Sequence, residues 1–174
     1  MKHKNPYVPK ESIETARKLL PTDVFNQEWG AQFISDVSEV FRGIDKCIDG
    51  VGFTDPEPHR LYIMGCDLAK HTDFTVLTVI DRETRRVVYW ERYTEMSWPE
   101  QKYRIVQVAR RYNKAKVIMD TTKGSYGDSI FDDLRDTGQF PIEGYEISTA
   151  KAKAELIKGL ILAISDCLIT FPRI

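Results

Sequence analysis

Two short apolar runs, each emptying into an aspartate, constrain this chain more than anything else in it. The first is Leu61-Tyr62-Ile63-Met64-Gly65-Cys66-Asp67, continuing into Leu68-Ala69. The second is Lys116-Val117-Ile118-Met119-Asp120, continuing into Thr121-Thr122. Runs of that length and composition belong in buried strands. An ionised carboxylate in or beside a core is costly unless it is paired or binds a cation. Two of them, each delivered by a buried strand, point to a site for divalent metal.

The pattern around these runs is α/β. Residues 74–80 are rich in β-branched side chains, a turn follows at Asp81-Arg82-Glu83-Thr84, and Val87-Val88-Tyr89-Trp90 makes a third strand. Short connections predict antiparallel neighbours. A helix is expected over 98–112, with Pro99 in its first turn and Ile105, Val108, Ala109 and Tyr112 inward. Its wet face would carry Arg104, Arg110 and Arg111, with Lys114 and Lys116 at the exit. After the Asp120 strand come a helix over 128–136 ending at Gly138, a strand over 142–147 and a long helix from Ser148. That last helix spaces Ala152, Leu156, Leu160 and Ala163/Ile164 near i+4, and residues 167–171 form a final short strand.

The strand carrying Asp120 returns after a helix, so it should run parallel to its neighbour through a right-handed crossover. If that neighbour carries Asp67, both acids end at one sheet edge, where open α/β sheets bind ligands. Hard oxygen donors suit Mg²⁺ or Mn²⁺, and two such ions are the usual machinery for in-line attack of water on a phosphodiester. The plainer alternative is that each aspartate is a helix cap or turn residue.

Residues 1–59 form a helical arm or linker, and 60–174 the domain proper. In the arm, Pro9 opens a helix with Ile13, Ala16 and Leu20 on one face, stopping at Pro21. A second helix after Thr22 would align Phe25, Trp29 and Phe33 as a packing stripe, and residues 51–58 read as a loop. Composition decides the remaining classes. A charged fraction of 29% against 42% apolar residues suits a folded, soluble, intracellular chain, and a net charge of −1 excludes a globally basic nucleic-acid binder. Cys47, Cys66 and Cys167, with no CxxC, fit free thiols in a reducing cytosol. No secretory signal or membrane span is expected.

At this point the residues resemble a family. The run from Gly65 through Asp67, Asp73 and Asp81 is similar to the first motif of the C-terminal nuclease domain of tailed-phage large terminase subunits. Met119-Asp120-Thr121-Thr122-Lys123-Gly124 resembles its second. Residues 143–162, with Lys151 and Lys153 opening the long helix, also resemble that family, as do Asn5-Pro6-Tyr7-Val8-Pro9, Phe25-Asn26-Gln27-Glu28-Trp29 and Val40-Phe41-Arg42.

The resemblance implies an RNase H-like mixed sheet, three antiparallel strands then parallel ones, with helices on both faces. It implies metal-dependent cutting of double-stranded DNA concatemers, with Asp67 and Asp120 as the first metal-ligating acids and two Mg²⁺ or Mn²⁺ ions in the intact site. Asp73 matches a recurrent acid of the first motif, with a turn role or a place behind the ligands favoured over direct ligation. Lys70, Lys123, Lys151 and Lys153 would meet DNA phosphates, although for any single lysine a solvated surface role is the commoner one.

The implied partners are double-stranded DNA, the terminase ATPase domain, the small terminase subunit and the portal, in the cytoplasm of an infected or lysogenic bacterium. Two departures bear on activity. No GxxxxGK[ST] occurs, so no nucleotide site and no ATPase half is expected. The family's third acid lies beyond the long helix, whereas this chain stops at Arg173-Ile174, so the metal site as encoded is expected to be incomplete. The rivals are another RNase H-like nuclease of the resolvase or transposase type, and a non-catalytic DNA-binding or docking remnant. A sugar-kinase-like ATPase is disfavoured for want of a glycine-rich loop after Asp67. His71 lacks a partner ligand at metal spacing, and Asp128, Asp132, Asp133 and Asp136 suit a helix dipole and solvent.

Overall fold

The computed structural model describes residues 9–20, 25, 40–69, 73–122 and 126–173. The chain packs as two compact units, each discontinuous in sequence. One comprises Met1–Asp45 and Ser148–Leu168, the other Lys46–Ile147 and Ile169–Ile174.

The second unit holds a five-stranded sheet. Its strands are β1 (Tyr62–Asp67), β2 (Thr75–Asp81), β3 (Val87–Tyr93), β4 (Lys116–Asp120) and β5 (Ile142–Tyr145), in the order β3-β2-β1-β4-β5. As expected, β1, β2 and β3 are antiparallel neighbours, and β4 lies parallel to β1. β5 extends the parallel half. β3 runs on to Tyr93, beyond the apolar run that announced it, because Glu91 and Arg92 occupy an edge strand where polar side chains are tolerated.

Alternation sorts the sheet's two faces. Tyr62, Met64, Cys66, Leu77, Val79, Val117 and Met119 point to one side and are buried. There they meet Ile105, Val108, Ala109 and Tyr112 of helix α2 (Trp98–Arg111) and its cap, and Ile130 and Leu134 of helix α3 (Tyr126–Asp136). A capping box from Ser97 and Glu100, with proline in the first turn, starts α2 where the sequence predicts. α3 begins two residues earlier than expected and closes before Gly138, whose φ of 60° suits a residue without Cβ strain.

Two expectations about polar residues change. Arg104 is not simply solvated: its Nε lies 2.8 and 3.0 Å from the two carboxylate oxygens of Glu91 on β3. Arg111 pairs with Asp55 at 2.8 Å and lies over the rings of Tyr89 and Tyr112. The 51–58 loop is thereby pinned. Arg86 adds to this, binding Asp49 and the carbonyls of Val51 and Gly52. Burial alone would raise the Asp49 carboxyl, but Arg86 and the Val51 amide hold it below the usual range. Residues 167–171 make no strand, only single bridges from Thr170 to Arg86 and from Phe171 to Ile48.

The first unit pairs helix α1 (Lys10–Leu19) with helix α4 (Ala150–Ser165), the latter capped by Thr149. Ala16, Leu20, Phe25 and Ala154 form its core, with Ile13, Val40, Ala150 and Ile157 around them. The i+4 row predicted on α4 is therefore not the buried one throughout. Ile164 is buried, but Leu156 and Leu160 are exposed, and Ala154 takes the contact. Small residues there let the helices approach. Phe25 is helical and buried as the stripe predicts, whereas Trp29 and Phe33 lie outside the described residues. No helix among the described residues is long and apolar enough to cross a membrane.

Candidate metal centre

β1 and β4 are parallel and in register, with Cys66 opposite Met119. Asp67 and Asp120 are the next residues on the two strands, so they end side by side at one sheet edge, their backbones about 4.8 Å apart by strand spacing. Because Cys66 and Met119 point into the core, both aspartates project from the opposite face. The convergence predicted from the strand order is present.

The two carboxylates are held differently. Among the described residues, no hydrogen-bond donor or cation contacts the Asp67 carboxylate. Burial pushes its pKa up, and the charges of Asp120 and then Asp73 push it further. The backbone beyond it, by contrast, is clamped. The Ala69 amide donates to Thr75 Oγ1 at 2.9 Å, and Gln101 Nε2 donates to the Ala69 carbonyl at 3.0 Å and to the Met96 carbonyl at 3.0 Å. The Thr75 hydroxyl donates to Gln101 Oε1 at 2.8 Å. Thr75 and Gln101 are both fully buried, so this network is closed to water.

Asp120 is held by its side chain. Its Oδ1 accepts the Thr122 amide at 2.8 Å and the Thr122 hydroxyl at 2.5 Å. Oδ2 has no hydrogen-bond partner among the described residues. The turn role weighed from sequence is thus real, but it engages only one of the two oxygens.

Asp73 lies close enough to Asp67 for its charge to be felt, yet no group of three metal-ligating side chains converges among the described residues. Lys70, Lys123 and His71 fall outside the described residues. Lys151 and Lys153 stand in the first turn of α4, in the other unit, and Lys151 faces Glu155 at 3.9 Å. Cys66 is buried in the core, and burial, and then Asp67, push its thiol far above the usual range. Sequence reasoning missed Gln101, Thr75 and Thr122; a polar residue recurring on an otherwise apolar helix face was the signal available for Gln101.

The donor set fits a divalent ion. Among the described residues, no cation pairs with either carboxylate: Asp67 has no donor, and Asp120 has one oxygen engaged by Thr122 and the other without a partner, at an edge where water can complete the coordination. Comparison with known proteins then decides the family. Residues 64–173 match the model of the Terminase RNaseH-like domain.

The chain belongs to that family. It is 29% identical over 165 residues to the large terminase subunit of Thermus virus P23-45, and 28% identical to that of Thermus phage G20c. These alignments take in 90% of this chain but 33% of each relative, so the chain spans about a third of their length. The large terminase nuclease of thermophilic phage G20c, solved with bound magnesium, superposes with a TM-score of 0.67 at 25% identity, covering 76% of this chain and 73% of that one. The same nuclease with bound zinc gives 0.68 at 25% identity, over 77% and 81%. The large terminase nuclease domain of Thermus phage P74-26 shares the fold, with a TM-score of 0.65 at 24% identity over 76% of this chain and 71% of that one. The RNase H-like expectation therefore holds.

Proposed function

We propose that this chain is the nuclease portion of a phage large terminase, hydrolysing phosphodiesters of double-stranded DNA with Mg²⁺ or Mn²⁺ held by Asp67 and Asp120. One observation carries the reading: the two acids end adjacent parallel strands with no cation to balance them among the described residues. Divalent metal would supply an activated water and charge stabilisation at the leaving oxygen. The chain's own part is to fix the ligands. Asp67 offers a carboxylate that no donor among the described residues engages, on a clamped backbone, and Asp120 offers Oδ2 while Oδ1 is occupied.

Lys70, Lys123, Lys151 and Lys153 are the cations we assign to DNA phosphates. Each such contact contributes about 0.9 to the salt slope of binding. In this reading the chain works on packaging concatemers in the bacterial cytoplasm, beside the ATPase half, the small terminase subunit and the portal.

A second reading, DNA binding without cutting, is favoured by the lack of a third ligating side chain among the described residues. Supercoiled plasmid with Mn²⁺ or Mg²⁺ separates the two. Nicking and linearisation that EDTA and Asp67→Ala both abolish is the expected result. Retardation of the plasmid without any cutting, under every metal, would hand the chain to the second reading.

A further inference from the structure

We infer that Thr122 is the positioning residue of the metal centre, presenting Asp120 Oδ2 as a single fixed donor. The inference rests on reading Asp67 and Asp120 as metal ligands. It starts from the directions of the hydrogen bonds. The Ile147 amide donates to Thr122 Oγ1 at 2.9 Å, which occupies a lone pair of the hydroxyl. Its one proton then goes to Asp120 Oδ1, at 2.5 Å. The Thr122 amide meets the same oxygen at 2.8 Å. Two donors converging on Oδ1 fix the carboxylate's rotation and leave Oδ2 as the outward oxygen.

The anchor behind Thr122 is rigid. The Thr121 amide donates to the Tyr145 carbonyl at 3.0 Å, so the exits of β4 and β5 are sewn together. Thr121 also fills the space above Gly144, where an added Cβ would lie 2.6 Å from its Oγ1 and 2.7 Å from its Cγ2. The segment bearing Ile147 is therefore held against the one bearing Thr122, and the hydroxyl transmits that position to the acid. A hydroxyl merely filling a turn would not need a fixed acceptor on one side and a fixed donor on the other. Hydrogen-bonded groups behind a ligand are typically worth about 10–100-fold in metal affinity.

The test is Mn²⁺ binding to the metal-free chain, followed by electron paramagnetic resonance, for wild type, Thr122→Val, Thr122→Ser, Thr122→Ala and Asp120→Asn. Thr122→Val keeps the shape and removes the hydroxyl, and it should weaken binding about 10-fold. Thr122→Ser should stay within about 2-fold of wild type, and Asp120→Asn should fall further than Thr122→Val. Should Thr122→Val fail to fold, Thr122→Ala carries the same expectation. A purely structural threonine would lower the melting temperature and leave the affinity of the folded protein unchanged. That result, or equal loss in Thr122→Ser and Thr122→Val, overturns the inference while Asp120→Asn still upholds the metal site. Wild type that binds no Mn²⁺, or binds it as Asp120→Asn does, removes the metal reading itself and this inference with it.

Discussion

The ends of β1 and β4 carry the same residue type to the same place and secure it by opposite means. At the end of β1 the main chain is held, through the buried Thr75 and Gln101, and the Asp67 carboxylate meets no donor among the described residues. At the end of β4 the carboxylate itself is held, through Thr122. The difference teaches where the electrostatic strain of the site resides. Asp120 is compensated in part by protein donors, whereas Asp67 has no such partner among the described residues.

Neutralising each acid breaks this comparison most severely. Asp67→Asn and Asp120→Asn should each abolish metal-dependent plasmid cleavage, a loss beyond the about 10–100-fold expected for partners behind a ligand. Their stabilities in EDTA should diverge. Asp120→Asn weakens the charge-assisted bonds from Thr122 and should lower stability by about 1 kcal/mol in urea unfolding. Asp67→Asn should not lower it at all.

The clamp on β1 is the next largest effect. Gln101→Leu strands the carbonyls of Ala69 and Met96 and leaves the Thr75 hydroxyl without its Gln101 acceptor, which should cost about 2–3 kcal/mol by urea unfolding. It should weaken Mn²⁺ binding too, because the backbone after Asp67 is released. The matching perturbation at the exit of β4 is Gly144→Ala on β5, whose Cβ would collide with Thr121. Overpacking of that kind costs about 1–3 kcal/mol, and the melting temperature should fall accordingly.

Most of the sheet could be read from the chain because β-branched and apolar runs are bounded by turns, and the crossover rule made β4 parallel to a neighbour that the structure shows to be β1. The two candidate acids were visible for the same reason: Asp67 and Asp120 are conspicuous at the ends of such runs. What supports them was not. Gln101 shares the apolar helix face with Ile105 and Val108, which marks it as unusual, but only the fold shows that it faces the Ala69 peptide. Thr122 after an aspartate reads as an ordinary turn, since the Ile147 amide that fixes its hydroxyl comes from a distant segment. Arg104 was assigned to solvent because Glu91 lay beyond the recognised part of β3. On α4 the regular leucine spacing outweighed the small Ala154 that makes the helix contact. Long-range polar partners and close small-residue contacts leave no local periodicity.

The smallest effect carries the sharpest sign. The folded chain holds the Asp67 proton more tightly than the unfolded chain does, against an ordinary value of 3.8. Stability from this group is therefore fully present below that value and lost as pH rises through the raised folded value. At pH 7 the ionised Asp67 is a small liability, because solvent screens the charge of an exposed group. A bound divalent ion reverses the balance, and saturation at about 100 times Kd stabilises by about 2.7 kcal/mol.

Thermal unfolding of wild type and Asp67→Asn at pH 7, in EDTA and again in Mn²⁺, tests the metal site most directly. The order of stability should cross: Asp67→Asn melts slightly higher in EDTA, and wild type melts higher in Mn²⁺. The same order in both conditions, with Mn²⁺ leaving wild type unmoved, would contradict a metal centre at Asp67 and Asp120.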